Sequence, residues 1–126
     1  MGYDLFMKFD SMDQRQNRLF PILIYKRQNM RIKIVRDKYK EIIPAEQLSV
    51  LSDEEAQNYL FAKIAEEANE MKDSNFKDID EYADVFEVLI AIAKLNGFNK
   101  ADILKARNKK NREKGSFDEK LLWREV

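Results

Sequence analysis

Two stretches in the middle of the chain repeat apolar residues every three or four positions, the spacing that turns one face of an α-helix toward a core. Ser52-Asp53-Glu54-Glu55 opens the first. Ser52 is placed as N-cap and Glu55, three residues on, completes a capping box. The pattern predicts a helix from there to about Lys72, with Leu60, Ile64, Ala68 and Met71 facing inward. Asp73-Ser74-Asn75 reads as a turn. The second helix, over about 78–96, is apolar around most of its circumference, with Ile79, Tyr82, Val85, Phe86, Val88, Leu89, Ile90 and Ile92 among its residues. Such a helix needs cover on several sides, and Tyr82 and Phe86 read as core. Gly97 ends it just past the C-cap. Asn99 caps a third helix, over 100–114, which Gly115 ends.

The flanks are less regular. Residues 19–25 form a short apolar run with Pro21 near its start, the pattern of an edge strand. Arg31 to Val35 alternate basic and apolar residues. A short helix is expected over 36–43, stopped before Pro44, and residues 47–51 are extended or loop. Beyond Gly115, Phe117, Leu121, Leu122 and Trp123 make an apolar tail expected to pack back on the domain or on a second subunit.

Composition narrows the chemistry. The 126 residues suit one domain, and 3 Gly and 2 Pro favour long helices. There is no Cys and no His. Disulfides, thiolate metal sites, a histidine general base and a His-ligated zinc are all excluded, so catalysis would rest on carboxylates, Lys/Arg, hydroxyls and a metal ion. No apolar run approaches the roughly 20 residues of a membrane span, and the N-terminus lacks the features of a signal peptide. A cytoplasmic protein without membrane contact is expected.

Acids then break the helical stripes. Glu66-Glu67-x-x-Glu70 lies in the first long helix and Glu81-x-x-Asp84 in the second. Residues three apart share a face, so Glu67 with Glu70, and Glu81 with Asp84, are side-by-side pairs. Taken singly, Glu66, Glu70 and Glu81 fit a solvated helix edge. Glu67, three residues after Ile64 and four before Met71, and Asp84, aligned with Val88, Ala91 and Leu95, sit among apolar neighbours instead. A buried, unpaired carboxylate costs several kcal/mol. A divalent cation shared by several carboxylates offsets that cost economically.

The net charge is zero, 23 basic against 23 acidic residues, but the signs are segregated. Residues 26–40 carry 7 Lys/Arg against 1 acid, residues 53–87 carry 12 acids against 3 Lys, and residues 100–114 carry 7 Lys/Arg against 2 acids. An acidic centre between basic arms suits an anionic ligand that brings cations with it, such as a nucleotide with Mg²⁺. Solvated faces of alternating sign are the plainer alternative.

Four blocks in order resemble one known superfamily. Glu66-Glu67-x-x-Glu70 followed by Glu81-x-x-Asp84 resembles the signature of the all-α nucleoside triphosphate pyrophosphatases, the MazG and phosphoribosyl-ATP pyrophosphohydrolase superfamily. Val35-Arg36-Asp37-Lys38, the stretch Glu81-Tyr82-Ala83-Asp84-Val85-Phe86-Glu87-Val88 and the basic run from Lys109 to Phe117 resemble motifs of its small house-cleaning branch. The likeness covers roughly residues 30–122. Residues 1–29 have no counterpart in it and are set apart as an N-terminal extension, with the pyrophosphatase-like domain over 30–126. The tail reads Gly115-Ser116-Phe117 where Gly-Gly-Phe is usual.

The resemblance implies an all-α bundle of two long antiparallel helices plus shorter ones, and the residue pattern adds completion by dimerisation and a short extended N-terminal segment. It implies Mg²⁺-dependent (or Mn²⁺-dependent) hydrolysis of the α–β phosphoanhydride of a nucleoside triphosphate, giving the monophosphate and pyrophosphate, as house-cleaning of non-standard nucleotides. Glu67, Glu70, Glu81 and Asp84 map to metal ligands. Glu66 is either a further ligand or the group that polarises the attacking water. Arg36, Lys38, Lys109, Lys110, Arg112 and Lys114 are candidates to grip phosphates, and Glu87 reads as exposed or supporting. A homo-oligomer, dimer or higher, is expected, because the second helix needs more cover than the short elements supply. Three alternatives stand beside this reading. They are phosphoribosyl-ATP hydrolysis, a non-catalytic helical interaction module whose acids meet a partner's Lys/Arg, and nucleic-acid binding through the basic arms. The zero net charge weighs against the last.

Overall fold

A computed structural model describes residues 32–125. The run at 19–25, the extension 1–29 and the basic start of the alternating segment lie outside the described residues. What is described is all-α: three helices, no strand and two short 3₁₀ turns among the described residues. We name the helices α1 (Asp53–Asp73), α2 (Ile79–Leu95) and α3 (Lys100–Lys114).

The helix ends follow the chemistry of their flanking residues. Ser52 Oγ accepts the Glu55 backbone N–H at 3.2 Å while Glu55 Oε1 takes the Ser52 backbone N–H at 3.3 Å, the reciprocal capping box. Asn99 and Asp102 repeat the arrangement at the start of α3, with both bonds at 2.9 Å. Each box satisfies donors that the first turn leaves without an intrahelical partner.

The turn between α1 and α2 sets their register. The Asn75 N–H donates to the Lys72 carbonyl at 2.9 Å and the Phe76 N–H to the Met71 carbonyl at 3.0 Å. These are the paired bonds of a Schellman motif. Asn75 and Phe76 both adopt left-handed backbone, φ 56° and 61°. Asparagine takes that conformation readily and phenylalanine does not. The Tyr82 hydroxyl, from α2, donates to the Phe76 carbonyl at 3.2 Å and pins the reversed chain. α2 closes with the same motif around Gly97 (φ 86°), through Gly97 N–H to Lys94 O and Phe98 N–H to Ala93 O. At the far end of the hairpin, Asn96 Nδ2 donates to Gln57 Oε1 at 2.6 Å. α1 and α2 are therefore latched at both ends and packed along their length.

Several expectations need correction. Residues 36–43 form a 3₁₀ turn over Asp37–Glu41 instead of a longer helix, and a second 3₁₀ turn, Ala45–Gln47, occupies the start of the expected loop. Ala68 is exposed, and the buried position on that part of α1 is Glu67. The hairpin is antiparallel about a turn at 74–76, so α2 crosses nearest the Glu67 line of α1 and not the Ala68 line. Tyr82 and Phe86 are exposed by 44% and 37%, not core, within this chain. The apolar tail does not pack back on the described domain: Phe117, Leu121, Leu122 and Trp123 all stand open to solvent.

Among apolar side chains of the described residues, only Val88 and Ile90 are buried. Fully burying such a side chain stabilises by about 1.5–3 kcal/mol, against an ordering cost of about 1–2 kcal/mol for every backbone residue. Half-buried contacts of Leu60, Ile64, Met71, Val85, Ile92 and Leu95 supply the rest of the hairpin interface. No helix of the described residues is long and apolar enough to cross a membrane.

Candidate metal centre

The turn lies midway between two acid pairs, and that placement builds the site. Glu67 and Glu70 occupy the last two turns of α1, and Glu81 and Asp84 the first two turns of α2. Folding the helices back on each other brings the pairs face to face. One carboxylate oxygen from each of Glu67, Glu70, Glu81 and Asp84 lies within 4.8 Å of the other three. Two ionised carboxylates at such a separation repel by about 3 kcal/mol or more at an effective dielectric of about 20.

Burial sharpens the problem. Glu67 is only 6% exposed, the one buried charged residue among those described. Its Oε1 lies 3.4 Å from Lys63 Nζ, one turn earlier on α1. Its Oε2 is buried with no hydrogen-bond partner, and Glu81 Oε2 is in the same condition. Loss of water raises the Glu67 pKa, the neighbouring Glu70 carboxyl raises it further, and Lys63 opposes both. The Glu81 pKa is also raised, first by lost solvation and then by the charges of Asp78, Asp84 and Glu67, with Glu70 pulling it back. Both carboxyls therefore favour the protonated form more than a free glutamate does.

Four converging carboxylates, two of them with a buried oxygen that lacks a partner, fit a hard divalent cation. Oxygen-only donors suit Mg²⁺ or Mn²⁺. The set offers neither the imidazole nor the thiolate that usually accompanies zinc.

A second element closes over the pairs. Residues 32–36, without regular secondary structure, lead into the first 3₁₀ turn, with Arg36 at its N-cap in extended backbone. Arg36 Nη2 donates to Asp84 Oδ1 at 2.6 Å. That contact, with the Asp84 charge and those of Glu87 and Glu67, holds the guanidinium pKa above its ordinary value. Between this segment and the hairpin lies a cleft of about 480 Å³. Glu66, Glu67, Glu70 and Asp84 line it, with Glu87 and Tyr39. Lys33, Arg36, Lys63 and Lys94 line it as well.

The residues expected from sequence divide clearly. All four mapped ligands come together, and Glu66 and Arg36 face the same cleft. Lys38, Lys109, Lys110, Arg112 and Lys114 are exposed and do not line it. Lys109 pairs instead with Glu113 along α3 at 3.6 Å. The cleft's further cations are Lys33, Lys63 and Lys94, which the sequence reading passed over. The signal for two of them was present. Leu60, Lys63, Glu67 and Glu70 follow one another at steps of three and four, as do Asp84, Glu87, Ala91 and Lys94, so each lysine lies on the face of its helix that carries the acids.

No protein-family model, no curated protein and no solved structure matches the chain.

Proposed function

We propose that the protein is a Mg²⁺-dependent nucleoside triphosphate pyrophosphohydrolase of the MazG-like kind, splitting the α–β phosphoanhydride to release a nucleoside monophosphate and pyrophosphate. The observation that carries this reading is the convergence of four carboxylates from two helices, two of which, Glu67 and Glu81, have a buried Oε2 without a partner. Glu67, Glu70, Glu81 and Asp84 would hold the cation, and Glu66, which lines the cleft, would take a proton from the attacking water. A bound Mg²⁺ supplies positive charge to the phosphate oxygens and acidity to water. Arg36, Lys33 and Lys94 would grip the phosphates from the cleft walls, Arg36 through its planar fork and the lysines as point charges, while Lys63 stays paired with Glu67. The water oxygen would bond to the α-phosphorus as the bond from that phosphorus to the α–β bridging oxygen breaks, so the monophosphate keeps the water's oxygen and the pyrophosphate leaves with the bridging one. Removal of non-standard nucleotides is the role that the sequence resemblance favours.

The same reading makes the active form a homodimer or higher oligomer. Ile79, Phe61 and Phe98, with Phe117, Leu121, Leu122 and Trp123 of the tail, are large apolar side chains open to solvent. A second copy laid on these helices would cover them. Light scattering at micromolar concentration should give a multiple of the 15.0 kDa chain mass, and a mass of one chain would reject the assembly.

The chemistry is tested by incubating the full chain and Mg²⁺ with standard and modified nucleoside triphosphates and scoring pyrophosphate against orthophosphate. Pyrophosphate with a monophosphate is the expected outcome. Orthophosphate with a diphosphate would refute α–β cleavage, and no turnover across the panel would favour the helical interaction module.

A further inference from the structure

We propose that Arg36 is an exchangeable counter-ion. It holds Asp84, yields that carboxylate to an arriving divalent cation and carries its guanidinium over to the phosphates, so that metal and phosphate binding are coupled through one side chain. This inference rests on the metal-site reading above and adds an order of events to it.

Three observations support the exchange. The first is position. Arg36 Nη2 sits 2.6 Å from Oδ1 of Asp84, one of the four carboxylates that converge within 4.8 Å, so a cation ligated there and the guanidinium meet on the same group. Like charges brought that close repel, and one of them must give way. The second is the strength of the contact. It is a single N–H to O bond and not the two-pronged pairing of which a guanidinium is capable, and the two side chains are 56% and 35% exposed. A pair this exposed is screened by solvent and contributes little net stability. The third is anchorage. The Arg36 carbonyl accepts the Tyr39 N–H at 3.0 Å, which fixes the main chain at the rim of the cleft while the long side chain stays half exposed. Lys63 is the contrasting case. It is only 16% exposed and tied to Glu67 on its own helix, a charge that stays in place.

Coupling follows from the charges. While Arg36 is engaged with Asp84 its donors are aimed at a protein carboxylate, and the cleft attracts phosphate weakly. When a cation takes Asp84, the same donors become available to an anion. Each ligand then favours the other by the same factor, as linkage requires.

The test is calorimetric and needs no turnover. The full-length parent, Arg36→Gln and Arg36→Lys are titrated with Mg²⁺ alone, and then with inorganic pyrophosphate at saturating Mg²⁺. Arg36→Gln should bind Mg²⁺ about two- to fivefold more tightly than the parent, the factor expected from losing a weak exposed ion pair. It should bind pyrophosphate about tenfold more weakly, the loss of a charge-assisted contact. Arg36→Lys, which keeps the charge and loses the fork, should bind Mg²⁺ as the parent does. Unchanged or weaker Mg²⁺ binding by Arg36→Gln would overturn the exchange while leaving the metal site standing, because Arg36 would then be orienting Asp84. A parent that binds no Mg²⁺ would overturn both. Circular dichroism of each variant confirms that the comparison is made on folded protein.

Discussion

The α1–α2 hairpin and α3 are both rich in charge, and they treat it in opposite ways. α3 carries its basic residues on an exposed surface, where each is solvated and pairing such as Lys109–Glu113 adds little. The hairpin draws a carboxylate out of water on α1 and sets three more against it. No packing advantage explains this, since Ala68, one residue on, is left exposed where an apolar stripe would have buried it. Charge in α3 keeps a helix soluble. Charge in the hairpin is positioned, at a cost in stability that a bound cation would recover.

That contrast can be broken most directly at the acids. Glu67→Gln and Asp84→Asn are close in shape to the parent residues but remove an anionic ligand. Each should lower Mg²⁺-dependent activity by about a hundredfold or more, and should leave the melting temperature in chelator unchanged or higher, because repulsion is relieved. Mg²⁺ should stabilise the variants less than the parent, since linkage shrinks with affinity. Asp84→Asn retaining full activity and the full Mg²⁺-induced rise in Tm would remove the basis for the metal centre. Glu87→Gln, in the cleft but outside the four-carboxylate set, is the control and should lose much less.

A second comparison separates the two sets of cations. Lys94→Gln should raise KM by about tenfold with kcat nearly kept, the signature of a phosphate contact made in both ground and transition states. Neutralising Lys109, Lys110, Arg112 and Lys114 together should move KM by less than about threefold, the range of screened surface charge. Steady-state kinetics on both variants gives the answer, and the reverse ranking would return the phosphate grip to α3.

Acidity offers a subtler probe. Glu67 and Glu81 have raised pKa values in the fold, so the folded chain keeps protons that the unfolded chain has already released. Stability from this source is fully present below the ordinary glutamate pKa and is lost as pH rises through the raised values. In chelator, Tm should therefore fall across that window. Glu67→Gln should flatten the fall, and so should Mg²⁺, which takes the place of the protons. A Tm that rises across the window in chelator would contradict the assignment. The smallest effect belongs to α3, where Asn99→Ala should cost about 1 kcal/mol of stability through loss of the cap and leave the Mg²⁺ response untouched. Denaturant unfolding with and without Mg²⁺ measures both.

The helical frame was legible in the sequence because its determinants are local. Ser52 with Glu55, Asn99, and Gly97 each act within a turn of themselves, and all three do in the structure what their positions predict. The meeting of the acid pairs was legible for a related reason, because a short turn leaves two helices little choice but to run antiparallel. What could not be read locally is burial. Whether Ala68 or Glu67 faces α2 depends on a crossing line that neither helix encodes alone, and exposure of Tyr82 and Phe86 depends on how few elements among the described residues cover α2. The cleft-lining cations fall between these cases. The basic density of 100–114 is the more conspicuous signal but does not line the cleft, while the single lysines at positions 63 and 94, which do, are masked by the acids around them.

The tight reversal at Asn75 and Phe76 also gives the site a phase. Each residue of a helix advances the chain by about 100°, and the Schellman bonds and the Tyr82 hydroxyl fix where α2 begins relative to where α1 stops. One residue added or removed between the Asp78 cap and Asp84 would swing Asp84 about a quarter-turn or more away from Glu67, whatever the residue was. The same change beyond Gly115 would move nothing that the cleft uses. Between Glu70 and Glu81 the chain thus carries information in its length more than in its letters. Insertions and deletions there count as changes to the site, and most substitutions of Asp73 or Lys77 do not.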